Sequence, residues 1–380
     1  MGISHFIEHI LFKGTKKYPT SQKLSEAVES VGGIINGETD KELSVYWCKV
    51  ARPHFHVALD VLTDMVLHPN FDPLEIAKER QVIIEEINRG KDSPSQLVDE
   101  LIDTMLFPGH QLGRDVAGTK KTVGNLSRED MLNYISHQYS PANTVFSIAG
   151  SVNHDEMITA VEAATSVWHN RCKAVEYKAY TERPNPRISI HPKKTEQIHL
   201  CLALPGISLF DPRRYPLAML NVILGAGMSS RLFLEVRDRL GLAYSVHSYI
   251  DHYQDSGAIV IYAGVDPQKV TTSVAAIIEQ LARFKDEPVP ETELIKAKEL
   301  SKGRLWLRME DSYAVSSWLG GQEILTGKVI TDDEMVAIID SITAQQVQEV
   351  AQELFIGDKL RLAIVGKVDK HERLETMLKI

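Results

Sequence analysis

The sequence lacks the features that define several protein classes. Its 380 residues include only three cysteines, Cys48, Cys172 and Cys201, which are far apart and not in CxxC spacing. They predict neither a disulfide framework nor a zinc–cysteine site, and they favour a reducing compartment. There is no run of about 18 uncharged apolar residues, and the first residues do not resemble a signal peptide. We therefore expect no membrane-spanning segment.

An excess of positive charge is also missing. The chain has 42 Lys+Arg against 51 Asp+Glu, a formal net charge of −9, so we expect no nucleic-acid partner. Hydrophobic residues make up 43% and charged residues 24%, which is ordinary for a globular protein. At roughly 150 residues per domain, the length predicts two or three domains.

What the sequence does contain is an internal repeat. Residues 125–152 align without a gap to residues 341–368, and residues 72–80 resemble residues 290–298, so the offsets are 216 and 218. Each copy of the longer segment has the pattern of a helix followed by a strand that ends at a glycine. We predict two tandem domains of one architecture, 1–177 and 195–380, joined by a proline-containing, charged linker over 178–194.

The segment His5-Phe6-Ile7-Glu8-His9 carries the clearest chemical pattern. On a helix, residues four apart differ by roughly 40° of rotation, so both imidazoles point the same way and Glu8 borders their face. Neutral imidazoles are zinc ligands, and a nearby carboxylate can take a proton from a zinc-bound water. The pattern H-x-x-E-H therefore predicts a zinc site, the alternative being two surface histidines at a helix end.

A catalytic zinc site needs a third protein ligand. A helix predicted from Asp72 to about Arg89 offers Glu75, Glu79, Glu85 and Glu86. Glu79 and Glu86 are seven residues apart and share a face of that helix. Spacing alone does not choose among the four, and a solvated acidic face is the alternative reading.

Three segments, HFIEHILFKGT, GGIINGETDKELSVYW and ERQVIIEEI, together resemble the pitrilysin/insulysin superfamily of zinc peptidases. Within it, the chain is most similar to the mitochondrial processing peptidase β-subunit and its bacterial processing-protease-like relatives. The resemblance implies an α+β fold of two tandem homologous domains, each a mostly antiparallel sheet packed with helices. In the family the third ligand follows the motif after 76 residues, which leads to Glu86. The resemblance thus implies one Zn²⁺ per chain on His5, His9 and Glu86, with Glu8 as general base and Glu79 as a supporting carboxylate.

The second half of the chain carries a different part of the family pattern. It has no HxxEH motif, and the repeat aligns Glu79 and Glu86 with Ala297 and Arg304. Its segment VRDRLGLAYSV contains Arg237 and Tyr244, seven residues apart. The resemblance implies that such a pair holds the substrate carbonyl and stabilises the oxyanion. The residues alone would favour an exposed arginine and a core tyrosine.

A third part of the pattern is N-x-x-T-x-x-E-x-x-x-Y, matched by Asn36, Thr39, Glu42 and Tyr46. In the family this stretch is the substrate-binding edge. An edge strand can accept an extended peptide by backbone pairing. The alternative is an ordinary turn and strand.

The function implied by the resemblance is a zinc endopeptidase that hydrolyses peptides or unfolded polypeptides in a closed chamber. Such chambers contain four domains and this chain supplies two, so we expect a homodimer, with a heterodimer also possible. Arg237 and Tyr244 would then serve the partner's zinc site. The alternative is a non-catalytic or structural core subunit of a similar assembly, but such subunits usually have a broken zinc motif.

Two further expectations concern the start of the chain. No transit peptide is visible, which favours the bacterial cytoplasm over the mitochondrial matrix. Family members normally have strands before the zinc motif, whereas here Met1 is four residues before His5. Either the sequence is a fragment, or its start is assigned too late, or the first sheet is short by those strands. Loss of the strands would leave an exposed edge beside the metal-binding helix.

Overall fold

The structure is a computed structural model that describes residues 1–169, 177–368 and 371–380. The chain divides into two compact units. Unit 1 consists of Met1–Arg89, Asp115–Lys178 and Arg308–Val329, and unit 2 of Gly90–Arg114, Ala179–Leu307 and Ile330–Ile380. Four residues of the predicted linker, Ile188–His191, form a strand. The predicted domain boundary itself stays a prediction.

The α-helices of the described residues are, in chain order, α1 (Ile3–Leu11), α2 (Ser21–Glu29), α3 (Phe55–Leu67), α4 (Pro73–Asp92), α5 (Pro94–Leu106), α6 (Lys120–Asn125), α7 (Arg128–Gln138), α8 (His154–Thr165), α9 (Arg214–Gly225), α10 (Val270–Asp286), α11 (Glu291–Met309), α12 (Ser312–Thr326), α13 (Asp332–Ser341), α14 (Ala344–Leu354) and α15 (His371–Met377). Short 3₁₀ helices lie at Arg52–His54, Pro141–Asn143 and Gly357–Lys359, and a π-helix lies at Phe233–Arg239. No helix in the described ranges is both long enough and apolar enough to cross a membrane.

The strands are β1 (Ile34–Thr39), β2 (Ser44–Lys49), β3 (Ile188–His191), β4 (Ile198–Pro205), β5 (Ala243–His252), β6 (Gly257–Val265) and β7 (Arg361–Val365). In unit 1, β1 and β2 pair antiparallel, with Gly37 opposite Tyr46. In unit 2 the sheet order is β3-β7-β4-β6-β5. Only the β3–β7 pair of that sheet is parallel. The observed architecture is therefore α+β, as expected.

The core of unit 1 is built around the apolar sides of α1 and α4. Phe6, Ile7, Ile10 and Leu11 of α1 are at most 1% exposed. Helix α4 begins at Pro73, and the Asp72 carboxylate accepts a hydrogen bond from Leu74 N at 2.7 Å. Its buried residues are Ile76, Glu79, Ile83 and Ile87, so a carboxylate lies in an otherwise apolar stripe. Packing of these two stripes fixes the position of the α1 side chains that face α4.

The sheet of unit 2 is covered on both faces. Alternate residues of β4, Leu200, Leu202 and Leu204, enter the main core with α9, α10 and α14. The residues between them, Cys201 and Ala203, pack in a second cluster with α5. Because successive residues of a strand point to opposite faces and both faces are buried, β4 and β6 consist almost entirely of apolar residues.

One carboxylate lies within this second cluster. Asp99 of α5 accepts hydrogen bonds from Cys201 Sγ and Tyr249 OH, each at 3.2 Å. Burial raises the pKa of the Asp99 carboxyl above its ordinary value. The charged form of this side chain therefore destabilises the folded chain relative to the neutral form.

The structure confirms the internal repeat at the level of helices. An offset of 216 moves α7 onto α14 and the 3₁₀ helix Pro141–Asn143 onto Gly357–Lys359, residue for residue. Both long helices begin with a capping box. An offset of 218 moves the first residues of α4 and α5 onto those of α11 and α12.

Two local predictions are wrong. The first copy was expected to contain a strand after α7, but residues 144–149 are not in a strand, whereas the second copy forms β7. A strand requires backbone pairing, and β7 pairs with β3 and β4, while the described sheet of unit 1 contains only β1 and β2. The pair Asp266-Pro267 also has the sequence pattern of a helix start, as Asp72-Pro73 has at α4, and so predicts a helix that opens there. In the structure a turn comes first and α10 begins at Val270.

Candidate metal centre

Helix α1 presents two imidazoles on one side. The rings of His5 and His9 are 4.6 Å apart between centroids, and their Nε2 atoms are 3.3 Å apart. Both side chains are mostly buried, with 18% and 17% exposure. The spacing of four residues thus brings two ligand-type nitrogens to one point, as the sequence predicts.

Helix α4 brings a carboxylate to the same point. Glu86 Oε2 lies 3.5 Å from His9 Nε2 and 3.8 Å from His5 Nε2. One ligand atom from each of these three residues lies within 4.8 Å of the others. Zinc bonds of about 2.0–2.2 Å in tetrahedral geometry place donor atoms about 3.3–3.6 Å apart. The donor set and its spacing therefore fit a zinc ion.

The charge state of the His5 imidazole also suits a metal ligand. Burial, followed by the neighbouring His9, lowers the pKa of His5 below its ordinary value. A metal binds the neutral imidazole, so a lowered pKa favours the binding form near neutral pH. Within the described residues, His5 Nδ1 is buried and has no hydrogen-bond partner.

Glu79 lies behind His9, on the side of the ring away from Glu86. Its side chain is 8% exposed, and its Oε2 lies 3.1 Å from His9 Nδ1. A carboxylate at this distance accepts the Nδ1–H, which leaves Nε2 without a proton on the side of Glu86. The other carboxylate oxygen, Oε1, lies 2.8 Å from Lys13 Nζ.

Glu8 is held by the first strand of unit 1. The Thr39 hydroxyl donates a hydrogen bond to Glu8 Oε2. A Cβ on Gly37 would lie 3.2 Å from Glu8 Cγ and 3.0 Å from Phe12 Cε2. Glycine therefore lets β1 come close to α1 at the position of Glu8.

The four residues predicted to bind substrate lie on the β1–β2 hairpin and its turn. Asn36 is exposed, and its Oδ1 accepts a hydrogen bond from Gly37 N at 2.9 Å. Glu42 is partly buried in the turn between the strands. Tyr46 OH lies 2.7 Å from Tyr139 OH, and burial raises the pKa of Tyr46 well above its ordinary value. Substrate binding by Asn36, Thr39, Glu42 and Tyr46 stays a prediction.

Arg237 and Tyr244 are neighbours in unit 2. Arg237 lies in the π-helix, and its guanidinium carbon is 5.6 Å from the centre of the Tyr244 ring and 4.8 Å from that of Phe233. Tyr244 is 73% exposed at the start of β5, contrary to the core position that the residue type alone would favour. At the positions that the repeat aligns with Glu79 and Glu86, Ala297 is buried in the core of unit 2 and Arg304 donates to Ala226 O.

Sequence reasoning missed three residues around the site: Lys13, Gly37 and Tyr139. Lys13 follows His9 by four residues, a spacing that could have drawn attention to it. Gly37 and Tyr139 had no comparable signal, because their contacts depend on how β1 and the segment after α7 pack in unit 1.

Comparison with known proteins places this chain in a family. Residues 1–120 match the family model described as "Insulinase (Peptidase family M16)", and residues 125–301 match the one described as "Peptidase M16 inactive domain". A protein of Bacillus subtilis (strain 168) named "Uncharacterized zinc protease YmxG" is 36% identical over 360 residues, covering 94% of this chain and 86% of that protein. This chain belongs to peptidase family M16. Another M16 relative, from Streptomyces coelicolor, is also named a zinc protease and is 33% identical over 375 residues, covering 96% of this chain and 80% of that protein.

Solved structures of similar proteins share the M16 fold. A protease from Helicobacter pylori superposes with a TM-score of 0.86 at 20% identity, covering 96% of this chain and 90% of that one. A peptidase M16 inactive domain from Pseudomonas fluorescens gives a TM-score of 0.87 at 19% identity, covering 97% and 88%. At these identities the likeness concerns the fold alone. The expected α+β architecture of two M16 domains is thereby confirmed.

Proposed function

We propose that this chain is a zinc-dependent endopeptidase that hydrolyses peptides or unfolded polypeptides. The observation that carries the proposal is the convergence of His5 Nε2, His9 Nε2 and Glu86 Oε2 beside a further carboxylate, Glu8, on the same helix. Two imidazoles, one carboxylate and an open position are the donor set of hydrolytic zinc enzymes. The names of the two bacterial relatives, both zinc proteases, support the same proposal.

Each residue has a defined part in this reaction. His5, His9 and Glu86 would hold the metal, which would supply polarisation of the scissile carbonyl and make a water more acidic. Glu8 accepts the proton of the attacking water on its carboxylate and returns it to the leaving amine nitrogen. Thr39 orients Glu8 through its hydroxyl.

We propose that the substrate binds as an extended strand along β1. Among the described residues, β1 pairs on one side with β2 and its other edge is not in a sheet. An unpaired edge offers backbone donors and acceptors to a peptide regardless of most side chains. The exposed Asn36 on this strand would contact such a peptide.

We further propose that the active assembly is a homodimer in which Arg237 and Tyr244 serve the partner's zinc site. A guanidinium and an exposed phenol, placed side by side, are suitable donors to the oxyanion that forms during amide hydrolysis. The bacterial cytoplasm stays our prediction for the location.

Turnover of a quenched fluorescent peptide tests the proposal, with zinc content measured on the same samples. We expect wild type to hold one zinc per chain and to cleave the peptide, and E8Q to keep the zinc while losing about 10³-fold or more of kcat, since it loses its proton acceptor. The matched control is E85Q, which removes an exposed carboxylate from α4. Stoichiometric zinc without turnover in wild type would contradict the peptidase and favour the non-catalytic subunit.

A mixing experiment tests the arrangement across the dimer. E8Q chains and Y244F chains are each expected to be inactive as homodimers of about twice 42.6 kDa. Mixed dimers should regain activity, because one of their two sites combines an intact Glu8 with an intact Tyr244. If mixing restores nothing although exchange of chains is demonstrated, the arrangement is wrong.

A further inference from the structure

We propose that Lys13 is a positioning residue for the metal centre, acting on His9 through Glu79. This inference rests on the proposed zinc site and adds a residue that the motif does not include. The observation is a continuous chain of contacts, Lys13 Nζ to Glu79 Oε1 at 2.8 Å and Glu79 Oε2 to His9 Nδ1 at 3.1 Å.

This chain of contacts arises from two rows of side chains, one on α1 and the turn after it and one on α4. The first row is His5, His9 and Lys13, each four residues apart, and the second is Glu79 and Glu86. The two rows run in opposite directions along the chain. His5 and His9 lie near Glu86, whereas His9 and Lys13 lie near Glu79. Lys13 therefore occupies the next position along the row that carries the two imidazoles.

The contacts divide the two oxygens of Glu79 between two partners. Lys13 engages Oε1 and leaves Oε2 to accept the Nδ1–H of His9. A carboxylate with a partner at one oxygen only could rotate about its terminal C–C bond and lose the hydrogen bond to His9. A carboxylate held at both oxygens keeps one oxygen directed at the imidazole. The ring of His9 is thereby fixed with Nε2 directed at Glu86.

Burial makes the role of the ammonium group more important. The Glu79 side chain is only 8% exposed, while that of Lys13 is 27% exposed. An ionised carboxylate that is removed from water needs an opposite charge or several donors to stay in place. Lys13 supplies that charge, while its own side chain stays partly exposed.

The test measures zinc affinity by competition with a chromophoric chelator, at a temperature below every variant's unfolding transition. K13M keeps the aliphatic stem and removes the charge, K13R keeps the charge, and K16M is the matched control from the exposed part of the same loop. We expect K13M to raise the zinc Kd about tenfold or more, as other changes behind a metal ligand do. K13R should stay within about threefold of wild type, and K16M should be unchanged.

A double-mutant cycle separates positioning from a merely structural role. If Lys13 acts through Glu79, adding K13M to E79Q should change the zinc Kd by less than about twofold, although each single change weakens binding. The inference would be overturned if the two substitutions raised the zinc Kd independently, so that their factors multiplied in the double variant. It would also be overturned if K13M bound zinc as tightly as K16M. Should K13M fail to fold by itself, K13R and the comparison of E79Q with K13M/E79Q decide. None of these variants leaves the Glu79 carboxylate buried without a cation.

The outcome also distinguishes this inference from the proposed function. Wild type that binds no zinc would contradict both. Wild type that binds zinc and cleaves peptide, with K13M indistinguishable from K16M, would contradict only the role of Lys13.

Discussion

Replacing Thr39 with valine should lower the rate of the chemical step without weakening zinc binding. The Thr39 hydroxyl donates to Glu8 Oε2, and valine has nearly the same shape but no donor. A hydrogen bond to a charged group contributes about 1.5–3 kcal/mol. If that energy holds Glu8 in its productive orientation, the loss corresponds to about 10- to 150-fold in rate, since about 1.4 kcal/mol is tenfold.

The assay is single-turnover cleavage of a quenched fluorescent peptide, which isolates chemistry from product release. Steady-state kcat and KM and the zinc Kd are measured beside it. We expect kcat to fall and KM to stay within about twofold, because the hydroxyl contacts Glu8 rather than the open edge of β1. T39S keeps the hydroxyl and should recover most of the wild-type rate.

Two results would refute this reasoning. A rise in KM with an unchanged kcat would return Thr39 to the substrate-binding role that the sequence pattern predicts. A T39V rate within about twofold of wild type would show that the hydrogen bond does not orient Glu8.

Three further predictions follow from the structure. E86Q should raise the zinc Kd by more than about 100-fold, since changes behind a ligand already cost about 10- to 100-fold, and the E85Q control should bind as wild type in the same chelator competition. G37A should reduce turnover with zinc retained, because its Cβ would lie 3.2 Å from Glu8 Cγ; equal activity would contradict the close approach. D99N should raise the unfolding temperature at pH 7, because burial raises the pKa of Asp99 and the charged form destabilises the fold. The gain should disappear below the ordinary pKa of about 3.8, where the wild-type carboxyl is neutral whether folded or unfolded, and a gain that persists in thermal scans at pH 3 would contradict it.

Much of the candidate centre was predictable from the sequence because helix geometry is local. The spacing of four between His5 and His9 requires only a helix, and the structure brings their Nε2 atoms to 3.3 Å. The choice of Glu86 over Glu75 and Glu85 was different. It needed the family spacing, because no local rule says which turn of α4 meets α1.

What could not be predicted depends on contacts between distant segments. Lys13 and Glu79 are 66 positions apart in the sequence, and their pairing follows from the opposite directions of two rows of side chains. The residues of 144–149 have a strand pattern, yet they are not in a strand, because a pattern does not provide a neighbouring strand. The prediction for Thr39 as a substrate contact likewise did not anticipate that its hydroxyl bonds Glu8.

The most direct test of the central claim is anomalous diffraction at the zinc edge from crystals of the zinc-loaded chain. We predict one peak per chain, about 2.0–2.2 Å from His5 Nε2, His9 Nε2 and the Glu86 carboxylate, the distances of zinc bonds to nitrogen and oxygen. An anomalous peak at another position would contradict the zinc site. So would a chain that takes up no zinc while His5, His9 and Glu86 remain in the geometry described.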